Sequence, residues 1–485
     1  MDTEFFDEDA LYRWEFKNKG YAHFDAEFCK SRVEGLLVEL KKSERISHRF
    51  YPFIRFEIPK FKRDENGRVY KDKDKPRYIM HTARIDSNIY SFYRNVLMNN
   101  YDSLLKEAGI DNCVIAYRKI LVDGSETKGK CNVHFANEAI EEIKDQTQNN
   151  GSCSAIALDI SGFFDNLDHS LIKQQWCQVM KFNQGLPIDH FTIFKNITRF
   201  KYIAAEKLES KLRMKFSKLR KERIKQICRP DVFKSKVLPH LSEQNRLGIP
   251  QGTTISDVIA NMYMLDFDKL MKKFANKYGG YYRRYSDDIL VVLPCKYQSK
   301  ALQFVPWLVK RICKLNISDK KTLVSQFQKK NDGIDCVTYK NKGAMLEVIG
   351  KPFEYLGLSF DGKRKRIRQS TISAFYDKLS ERIKVEVGIA HSKLLQKGIK
   401  SPAEDEIYKI ISFDMVRNSY MENREEDKDD DFLGNFYTYV QLVSRVTDNS
   451  QVINLYDGLG TWIKERAQKY CADTVKRHQA KVVAA

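Results

Sequence analysis

Two adjacent aspartates, Asp287 and Asp288, interrupt the otherwise strand-like stretch YYRRYSDDILVVLP (281–294). The apolar and aromatic residues on either side predict a strand, a tight turn and a second strand. Two ionised carboxylates about 4 Å apart repel each other by roughly 1–4 kcal/mol, depending on the local dielectric. A fold tolerates this repulsion readily when cations lie between the carboxylates, although a solvated turn is the commoner origin of an isolated Asp-Asp pair.

A third carboxylate comes from Asp159, which ends the short apolar stretch SAIALD (154–159). This stretch predicts a buried strand, and an acid at its end suits the edge of a site better than a core. Asp168 follows as the predicted N-cap of a helix. Mg²⁺ prefers oxygen ligands, so Asp159, Asp287 and Asp288 could hold two metal ions for a phosphoryl transfer.

The charge of the chain points to a polyanionic partner. Among 485 residues, 84 Lys and Arg stand against 64 Asp and Glu, a formal net charge of +20. Such an excess favours nucleic acid, with an anionic membrane surface as the second candidate. The absence of an apolar run of about 18 residues and the acidic start MDTEFFDEDALYRW predict a cytosolic protein without a membrane span. Ten scattered cysteines without a CxxC pair predict reduced thiols rather than a zinc site or a disulfide framework.

Strand and helix signals alternate up to about residue 370, and helical patterns dominate afterwards. A hairpin with basic arms is predicted around the ENG tripeptide in KFKRDENGRVYKDKDKPRY (60–78), and a basic helix from Lys211. GIPQGTTISDVIANMYMLDFDKLMKKF (248–274) predicts a glycine-rich loop and one long helix capped by Ser256. ALQFVPWLVKRICKLN (301–316) predicts an amphipathic helix, and the acidic segment 421–432 a solvated connection.

Several of these segments resemble the successive motifs of reverse transcriptases. DISGFFDNLDH, GIPQGTTISDVIANMYM, YSDD, LNISDKKT and FEYLGLSF occur in the order and approximate spacing of the palm motifs, and IPK, KPRYI and AYRK resemble the preceding fingers motifs. The resemblance covers roughly residues 55–365. It implies an α/β fold with an α+β palm: a right-hand polymerase with fingers and palm, followed by an α-helical thumb and C-terminal domain. The predicted divisions are 1–152 for the N-terminal segment and fingers, 153–365 for the palm with a basic helical fingers segment 190–247, and 366–485 for the helical part.

The resemblance also implies the metal ligands. They are the carboxylates of Asp159, Asp287 and Asp288 and the carbonyl oxygen of Ile160, which would hold two Mg²⁺ ions, with Mn²⁺ as an alternative. The predicted activity is RNA-directed DNA polymerisation, a nucleotidyl transfer from deoxynucleoside triphosphates.

The resemblance places four consecutive residues around the incoming nucleotide. Backbone amides of Ser161, Gly162 and Phe163 would approach the triphosphate. Phe164 would be a steric gate, because a large ring beneath the sugar leaves no room for a 2′-hydroxyl. The alternative interpretation of Phe164 is a core aromatic of its strand.

Further nucleotide contacts are implied for Gln251 and Gly252 of the PQG loop, whose alternative interpretation is a helix-entry turn. Basic residues would contact the phosphates, and each could equally be a solvated surface charge: Lys60, Arg77, Arg118 and Lys321, with Lys320 as an alternative to the last. Tyr285 would pack near the primer end, and Leu356 and Gly357 would form the turn of a primer-grip hairpin. The basic helix from Lys211 suits the phosphates of a template–product duplex.

The layout after LGLSF most resembles the bacterial defence-associated, or abortive-infection, reverse transcriptases. The implied partners are an RNA template, in this group a noncoding RNA, together with the DNA product and deoxynucleotides, in antiphage defence; self-association through the helical part stays open. Alternatives are untemplated or protein-primed DNA synthesis, a retron-type enzyme, and an RNA-binding protein that keeps the polymerase fold without its chemistry. An RNA polymerase sharing the palm is disfavoured by Phe164.

Overall fold

The computed structural model describes residues 14–42, 48–63, 69–342, 345–421 and 435–483. Its helices are α1 (Lys30–Lys41), α2 (Arg84–Glu107), α3 (Asn132–Asn150), α4 (His169–Val179), α5 (Ile188–Thr198), α6 (Ala205–Leu212), α7 (Phe216–Lys221), α8 (Ser256–Tyr263), α9 (Leu265–Lys277), α10 (Gln298–Cys313), α11 (Gln369–Gln396), α12 (Glu404–Lys409), α13 (Phe413–Met421), α14 (Phe436–Thr447) and α15 (Leu459–Val483). Its strands are β1 (Phe53–Arg63), β2 (Val69–His81), β3 (Ser152–Asp159), β4 (Tyr202–Ala204), β5 (Tyr281–Tyr285), β6 (Asp288–Pro294), β7 (Leu323–Lys330), β8 (Gly333–Lys342), β9 (Met345–Val348), β10 (Phe353–Tyr355), β11 (Leu358–Phe360) and β12 (Lys365–Ile367).

Contacts divide the chain into two compact units. The first comprises Met1–Arg118, Ile156–Leu323 and Asn341–Ala344, and the second comprises Lys119–Ala155, Val324–Lys340 and Met345–Ala485. One boundary falls within β3, whose first half belongs to the second unit and whose last half, ending at Asp159, belongs to the first. The divisions predicted from the sequence, at 152 and at 365, stay a prediction.

A three-stranded sheet of order β2-β1-β4 lies in the first unit. β1 and β2 are antiparallel, with Ile54 opposite His81, and β4 joins β1 in parallel. This confirms the two arms of the predicted hairpin, while its tip, residues 64–68, lies outside the described residues. Beside the sheet a cluster of apolar side chains is buried: Phe24, Ile54, Ile203, Ala205, Leu208 and Val237.

The aspartate pair lies on a hairpin of the first unit. β5 and β6 are antiparallel, from Tyr281 opposite Val292 to Tyr285 opposite Asp288, and β6 is followed by β3 in the strand order β5-β6-β3. Every residue of β6 after Asp288 is buried, as expected of a continuous apolar strand that is covered on both faces. The predicted strand, turn and strand are thereby confirmed.

Two predictions about helices of the first unit are wrong. The segment after the glycine-rich loop forms two helices, α8 and α9, with Met264 between them. Ser256 is the first residue of α8 rather than its cap, and its hydroxyl donates to the carbonyl of Pro250 at 2.6 Å.

The basic helix and exit loop predicted from Lys211 are found only in shortened form. The segment forms the end of α6, the short α7 and one-turn segments at Pro230–Val232, Phe233–Val237 and Leu238–His240. Arg213 and Arg223 adopt left-handed backbone conformations with φ of 50° and 56°, which end the helices before them.

The second unit contains strands in the order β3-β7-β8-β9 and a small sheet of order β10-β11-β12, followed by helices. Along α11 the buried residues recur every three or four positions, and they pack with residues of α12, α13 and α15 into one cluster: Phe375, Leu379, Ile383, Val387, Ala390, Leu394, Ile407, Ile411, Val416, Leu459, Ile463, Ala467 and Cys471. This confirms the helical C-terminal part. The predicted acidic connection lies outside the described residues from position 422 on. None of the helices in the described ranges combines the length and apolar character that a bilayer crossing demands.

A fully buried ion pair joins β5 to α9. The guanidinium of Arg284 donates to both carboxylate oxygens of Asp268, at 2.8 and 2.7 Å, and both side chains are 0% exposed. Tyr282 also donates to Asp268, at 2.5 Å. Buried charges are tolerated when they are paired and hydrogen-bonded, and breaking such a pair leaves an uncompensated charge.

We therefore expect Asp268→Asn to lower the free energy of unfolding by about 3–5 kcal/mol, because the buried Arg284 charge loses its partner. Denaturant unfolding followed by circular dichroism measures this. Glu34→Gln is the matched control, since Glu34 pairs with Lys30 on the surface of α1 and its loss should change stability little. Equal effects of the two substitutions would contradict the structural importance of the buried pair.

Asp168 caps α4, as predicted, because its carboxylate accepts hydrogen bonds from the backbone amides of Ser170 and Leu171. Burial raises the pKa of Asp168, but hydrogen bonds from Ser170 and Lys314 outweigh this effect and lower the pKa to about 2. A carboxylate whose pKa falls on folding adds stability above its unfolded pKa and loses it as the pH drops towards the folded value.

We expect Asp168→Asn to be less stable than the wild type at pH 5 and this difference to shrink as the pH falls from about 4 to about 2. The amide keeps a capping oxygen but cannot pair with the Lys314 ammonium, 2.9 Å from Asp168. Urea unfolding at a series of pH values provides the measurement. A stability difference that stays constant between pH 5 and pH 2 would refute this role of the Asp168 charge.

Candidate active site

Asp159 and Asp287 lie on neighbouring backbone segments of the first unit. Asp287 occupies the turn between β5 and β6, preceded by Ser286 with a left-handed φ of 58°, and Asp288 begins β6. The amide of Ile160 donates to the carbonyl of Asp287 at 3.1 Å. The end of β3 is thus bound directly to the turn, which brings together two of the three predicted carboxylate residues.

Lys321 neutralises the Asp159 carboxylate. Its ammonium group lies 2.7 and 2.8 Å from the two carboxylate oxygens, and the Asp159 side chain is 15% exposed against 63% for Lys321. The amide of Ser318 donates to the Asp159 carbonyl at 2.8 Å, which fixes the loop bearing Lys321 against the strand end. The structure therefore places Lys321, rather than Lys320, at the carboxylates.

The pKa of Asp287 is raised above its usual range. Burial is the main cause, and the negative charge of Asp159 raises the pKa further, while Lys321 opposes the shift. The carboxylates of Asp159 and Asp287 thus repel each other at a partly buried site, and a cation between them would relieve this repulsion.

The donor set suits a hard divalent cation, because the carboxylates and the Ile160 carbonyl offer only oxygen. Within the described residues, however, no three His, Cys, Asp or Glu side chains are arranged as the ligands of one metal ion. Lys321 occupies one acceptor position on each Asp159 oxygen, and a carboxylate offers about four such positions.

Arg284 supports the turn from beneath, a role that the sequence analysis missed. Its guanidinium donates to the carbonyl of Ser286 at 3.0 Å and to the side-chain oxygen of Asn261 on α8 at 3.2 Å. The backbone of Arg284 also pairs with residues 113–115, through the amide of Arg284 to Cys113 and that of Ile115 to Arg284. The available signal was the alternation in YYRRY, which puts Arg284 on the same buried face as Tyr282.

Tyr117 is a second residue that sequence reasoning did not single out. Its hydroxyl donates to the hydroxyl of Ser286 at 3.2 Å, and its ring lies 6.4 Å from that of Tyr285. Burial raises the pKa of Tyr117, and the charge of Asp287 contributes in the same direction. Its left-handed φ of 63° is not readable from a sequence.

In the loop after Asp159, the structure differs from the predicted triphosphate contacts at Ser161. The amide of Ser161 donates to the carbonyl of Asn316 at 2.9 Å, so it is engaged within the fold and does not face a triphosphate as predicted. Gly162 has a φ of 57°, and its carbonyl accepts from the Asn166 side chain at 2.8 Å. Phe163 is buried, whereas Phe164 is only partly buried, with the two ring centroids 5.5 Å apart.

The Phe164 backbone is bound to the glycine-rich loop. Its carbonyl accepts from the amide of Ile249 at 2.8 Å, and that of Leu167 accepts from Gly248, also at 2.8 Å. A Cβ at Gly248 would lie 2.5 Å from the carbonyl group of Asp165, so no other residue fits without displacing the backbone. The predicted gate and the predicted nucleotide loop are therefore adjacent.

Gln251 and Gly252 pack against the end of β2. The amide of Met80 donates to the carbonyl of Gln251 at 2.8 Å, and a Cβ at Gly252 would lie 2.6 Å from the Ile79 side chain. Arg77, three residues before Met80, is exposed on β2. These contacts thus connect the glycine-rich loop to β2, the strand that carries Arg77, a predicted phosphate contact.

Of two further predicted phosphate contacts, Arg118 is engaged elsewhere and Lys60 is not tested. Arg118 is 5% exposed, and its guanidinium is bound to the Asp102 carboxylate and to the carbonyls of Asp111 and Val114, so it serves the fold rather than a phosphate. Lys60 lies in β1, but its side chain lies outside the described residues. Among so many basic residues, the sequence pattern could not distinguish a buried arginine from a ligand-binding one.

Leu356 and Gly357 form the turn between β10 and β11 in the second unit, as predicted. Both have positive φ, 43° and 95°, and the carbonyl of Gly357 accepts from the amide of Arg368 at 2.9 Å. The hydroxyl of Tyr439 on α14 would lie 3.2 Å from a Cβ at Gly357. The hairpin geometry is confirmed, while a primer contact stays a prediction.

Among solved structures, the chain is similar to yeast telomerases. An apo telomerase from Candida tropicalis, truncated from its C-terminal domain, is 11% identical with a TM-score of 0.40, covering 64% of this chain and 55% of that chain. The telomerase from Candida albicans in complex with a fragment of telomeric RNA is 12% identical with a TM-score of 0.37, covering 93% and 70%. The alignment thus spans about half of the first of these proteins, and such TM-scores do not by themselves establish a common fold. No curated protein matches the sequence.

One family model matches about half of the chain. Residues 126–360 match the family described as reverse transcriptase (RNA-dependent DNA polymerase), a range that contains Asp159, Asp287, Asp288, Gln251 and Lys321. Together with the mixed α/β architecture, this match confirms the predicted fold class. The chain therefore contains a reverse transcriptase domain, the domain of RNA-directed DNA polymerases, which are nucleotidyltransferases.

Proposed function

We propose that this protein synthesises DNA on an RNA template by transferring deoxynucleotides to a growing 3′ end. The observation that carries the proposal is the hydrogen bond from the Ile160 amide to the Asp287 carbonyl, which joins the strand end bearing Asp159 to the turn bearing the aspartate pair. Nucleotidyl transfer needs carboxylates held rigidly together, and backbone bonds provide this rigidity.

In this proposal the residues that hold the metal ions are Asp159, Asp287 and Asp288, with the Ile160 carbonyl as a further oxygen ligand. Two Mg²⁺ ions, when bound, supply activation of the attacking hydroxyl and stabilisation of the leaving oxygen. Arg284 keeps the turn in place through the Ser286 carbonyl.

Lys321 carries positive charge into the same site, since its ammonium contacts Asp159. Once Asp159 binds a metal ion, Lys321 is free to contact the phosphates of the nucleotide. Arg77, exposed on β2, and the amides of Gly162 and Phe163 are proposed as further phosphate contacts.

Sugar selection is assigned to Phe164. Its backbone is held by Ile249 of the glycine-rich loop, and its side chain is only partly buried, which leaves the ring available to a ligand. Gln251 and Gly252 of the same loop are proposed to line the nucleotide pocket. Tyr285, Leu356 and Gly357 are proposed to contact the primer.

We further propose that the chain is a bacterial, cytoplasmic defence enzyme that copies a noncoding RNA. The helical segment from α11 to α15 supports this subclass, since it follows the FEYLGLSF motif with the layout of the defence-associated enzymes. Sequencing the nucleic acid that copurifies with the protein tests the proposal: a single RNA species with complementary DNA is expected. Phage protection of cells that carry the protein is the second measurement, and we expect the Asp287→Ala, Asp288→Ala double variant to lose it.

We expect Asp287→Ala with Asp288→Ala to reduce incorporation of labelled deoxynucleotides on an RNA template by about a thousandfold or more, because metal binding contributes several kcal/mol to the transition state. Primer extension with purified protein measures this. Asp332→Ala, at an exposed acid between β7 and β8, is the control and should keep wild-type activity. Undiminished incorporation by the double variant would overturn the proposed function.

We expect Phe164→Ala to lower the preference for deoxynucleotides over ribonucleotides by roughly 10- to 100-fold, because the space beneath the sugar becomes open to a 2′-hydroxyl. The measurement is the ratio of kcat/KM for the two nucleotides. Phe164→Tyr retains the ring and should retain the preference. If Phe164→Ala leaves the ratio unchanged, Phe164 is a core aromatic rather than a gate.

A further inference from the structure

Five aromatic rings form a continuous row on the first unit, from the end of α9 through the turn before α10 to Trp307 in α10. Successive ring centroids are 4.7, 4.9, 4.6 and 5.9 Å apart, in the order Tyr297, Tyr278, Phe274, Phe304, Trp307. Phe274 and Phe304 are stacked with an interplanar angle of only 10°. We call this row the aromatic ladder.

Packing between α9 and α10 explains only part of the ladder. Phe274 is buried and joins the two helices, but Trp307 is 59% exposed. The ladder borders an open groove of about 640 Å³, which is also lined by Leu270, Lys273, Lys277, Lys300 and Gln303. A tryptophan exposed to this extent contributes little to the core, so its rings remain available to a ligand.

Lysines surround the ladder. Lys300 lies over the rings of Tyr278 and Tyr297, at 5.2 and 5.5 Å from their centroids, and Lys277 and Lys296 each lie over one of them. None of these three lysines forms an ion pair within the described part of the chain. The whole of α10 and the last two turns of α9 contain no Asp or Glu, so the charged residues of these two segments are all positive.

The aromatic ladder is separate from the candidate active site. β6 begins at Asp288 and ends at Pro294, three residues before Tyr297, and a strand of 7 residues spans ~20 Å. The ladder and the aspartate pair therefore occupy opposite ends of the same hairpin.

We propose that the aromatic ladder binds single-stranded nucleic acid. Unpaired bases stack on the exposed ring of Trp307, and the lysines that lie over the tyrosine rings contact the phosphates. Stacking on aromatic rings beside lysines suits a strand of any sequence, because every base has a π face. The positive charge of these segments favours a polyanion over a neutral protein surface. The site does not depend on polymerase chemistry, so it can be tested whether or not the protein synthesises DNA.

The test is photo-cross-linking of the full chain to a 12-nucleotide RNA containing 4-thiouridine and to a DNA of the same sequence containing 5-iodouracil. Mass spectrometry maps the adducts. Adducts on the peptides bearing Trp307, Tyr278 or Tyr297 are expected, and comparison of the two oligonucleotides shows whether RNA or DNA is bound. Because the adduct identifies the peptide, binding in the polymerase channel does not obscure the result.

The cross-link yield at Tyr278 and Tyr297, measured against oligonucleotide concentration, gives the affinity of the ladder. Trp307→Ala should weaken it by about tenfold, and Trp307→Phe should largely restore it. Lys277→Gln with Lys300→Gln should flatten the salt dependence of log K by about 0.7 per lost phosphate contact. Phe191→Ala is the matched control and should leave the affinity unchanged. Phe191 lies on α5, outside the ladder; it is 40% exposed, and Lys173 of α4 lies over its ring.

Absence of adducts on the ladder peptides with both oligonucleotides would overturn the proposal. An unchanged affinity of the Trp307→Ala protein for both oligonucleotides would also overturn it. If that variant instead loses binding to anionic vesicles, or loses self-association, the ladder binds a membrane or a second copy of the chain and the proposal is likewise wrong. Adducts in a protein that fails to extend a primer would support the ladder while refuting the polymerase assignment.

Discussion

The buried pair of Arg284 and Asp268 is the interaction on which the candidate active site depends. Two charged side chains removed from water are stable only while they remain paired with each other and hydrogen-bonded. Here Tyr282 donates a further hydrogen bond to Asp268, and Asn261 accepts one from Arg284. The same guanidinium holds the Ser286 carbonyl immediately before the aspartate pair. One side chain thus links the rigid interior of the first unit to a turn that must carry like charges close together.

Much of this arrangement was predictable from residue pattern. Strand alternation located the hairpin, an apolar stretch ending in an acid located Asp159, and Asp168 marked the start of α4. These signals are local, because they depend on neighbouring residues in the same segment. The association of Asp159 with Asp287 followed from motif order, since no local rule joins residues so far apart in sequence.

What the pattern could not supply were the partners that tertiary contacts select. Arg118 and Arg284 look like the other basic residues of a +20 chain, yet each is buried with a carboxylate contributed by a different helix. Ser256 resembles a cap, but its hydroxyl bonds to Pro250 within the preceding loop. The basic segment after Lys211 has helical spacing, and left-handed arginines end its helices early. In each case a non-local contact or a backbone conformation overrides propensity.

Gly248 has a consequence for how the proposed nucleotide selection can evolve. Because no side chain fits between it and the Asp165 carbonyl, the segment carrying Phe164 and the loop carrying Gln251 are packed backbone against backbone. Under the roles proposed for Phe164 and Gln251, a substitution that displaces one of these segments would displace the other as well. Discrimination against the wrong sugar and accommodation of the base would then be coupled, so that a variant relaxed in one property would be altered in the other.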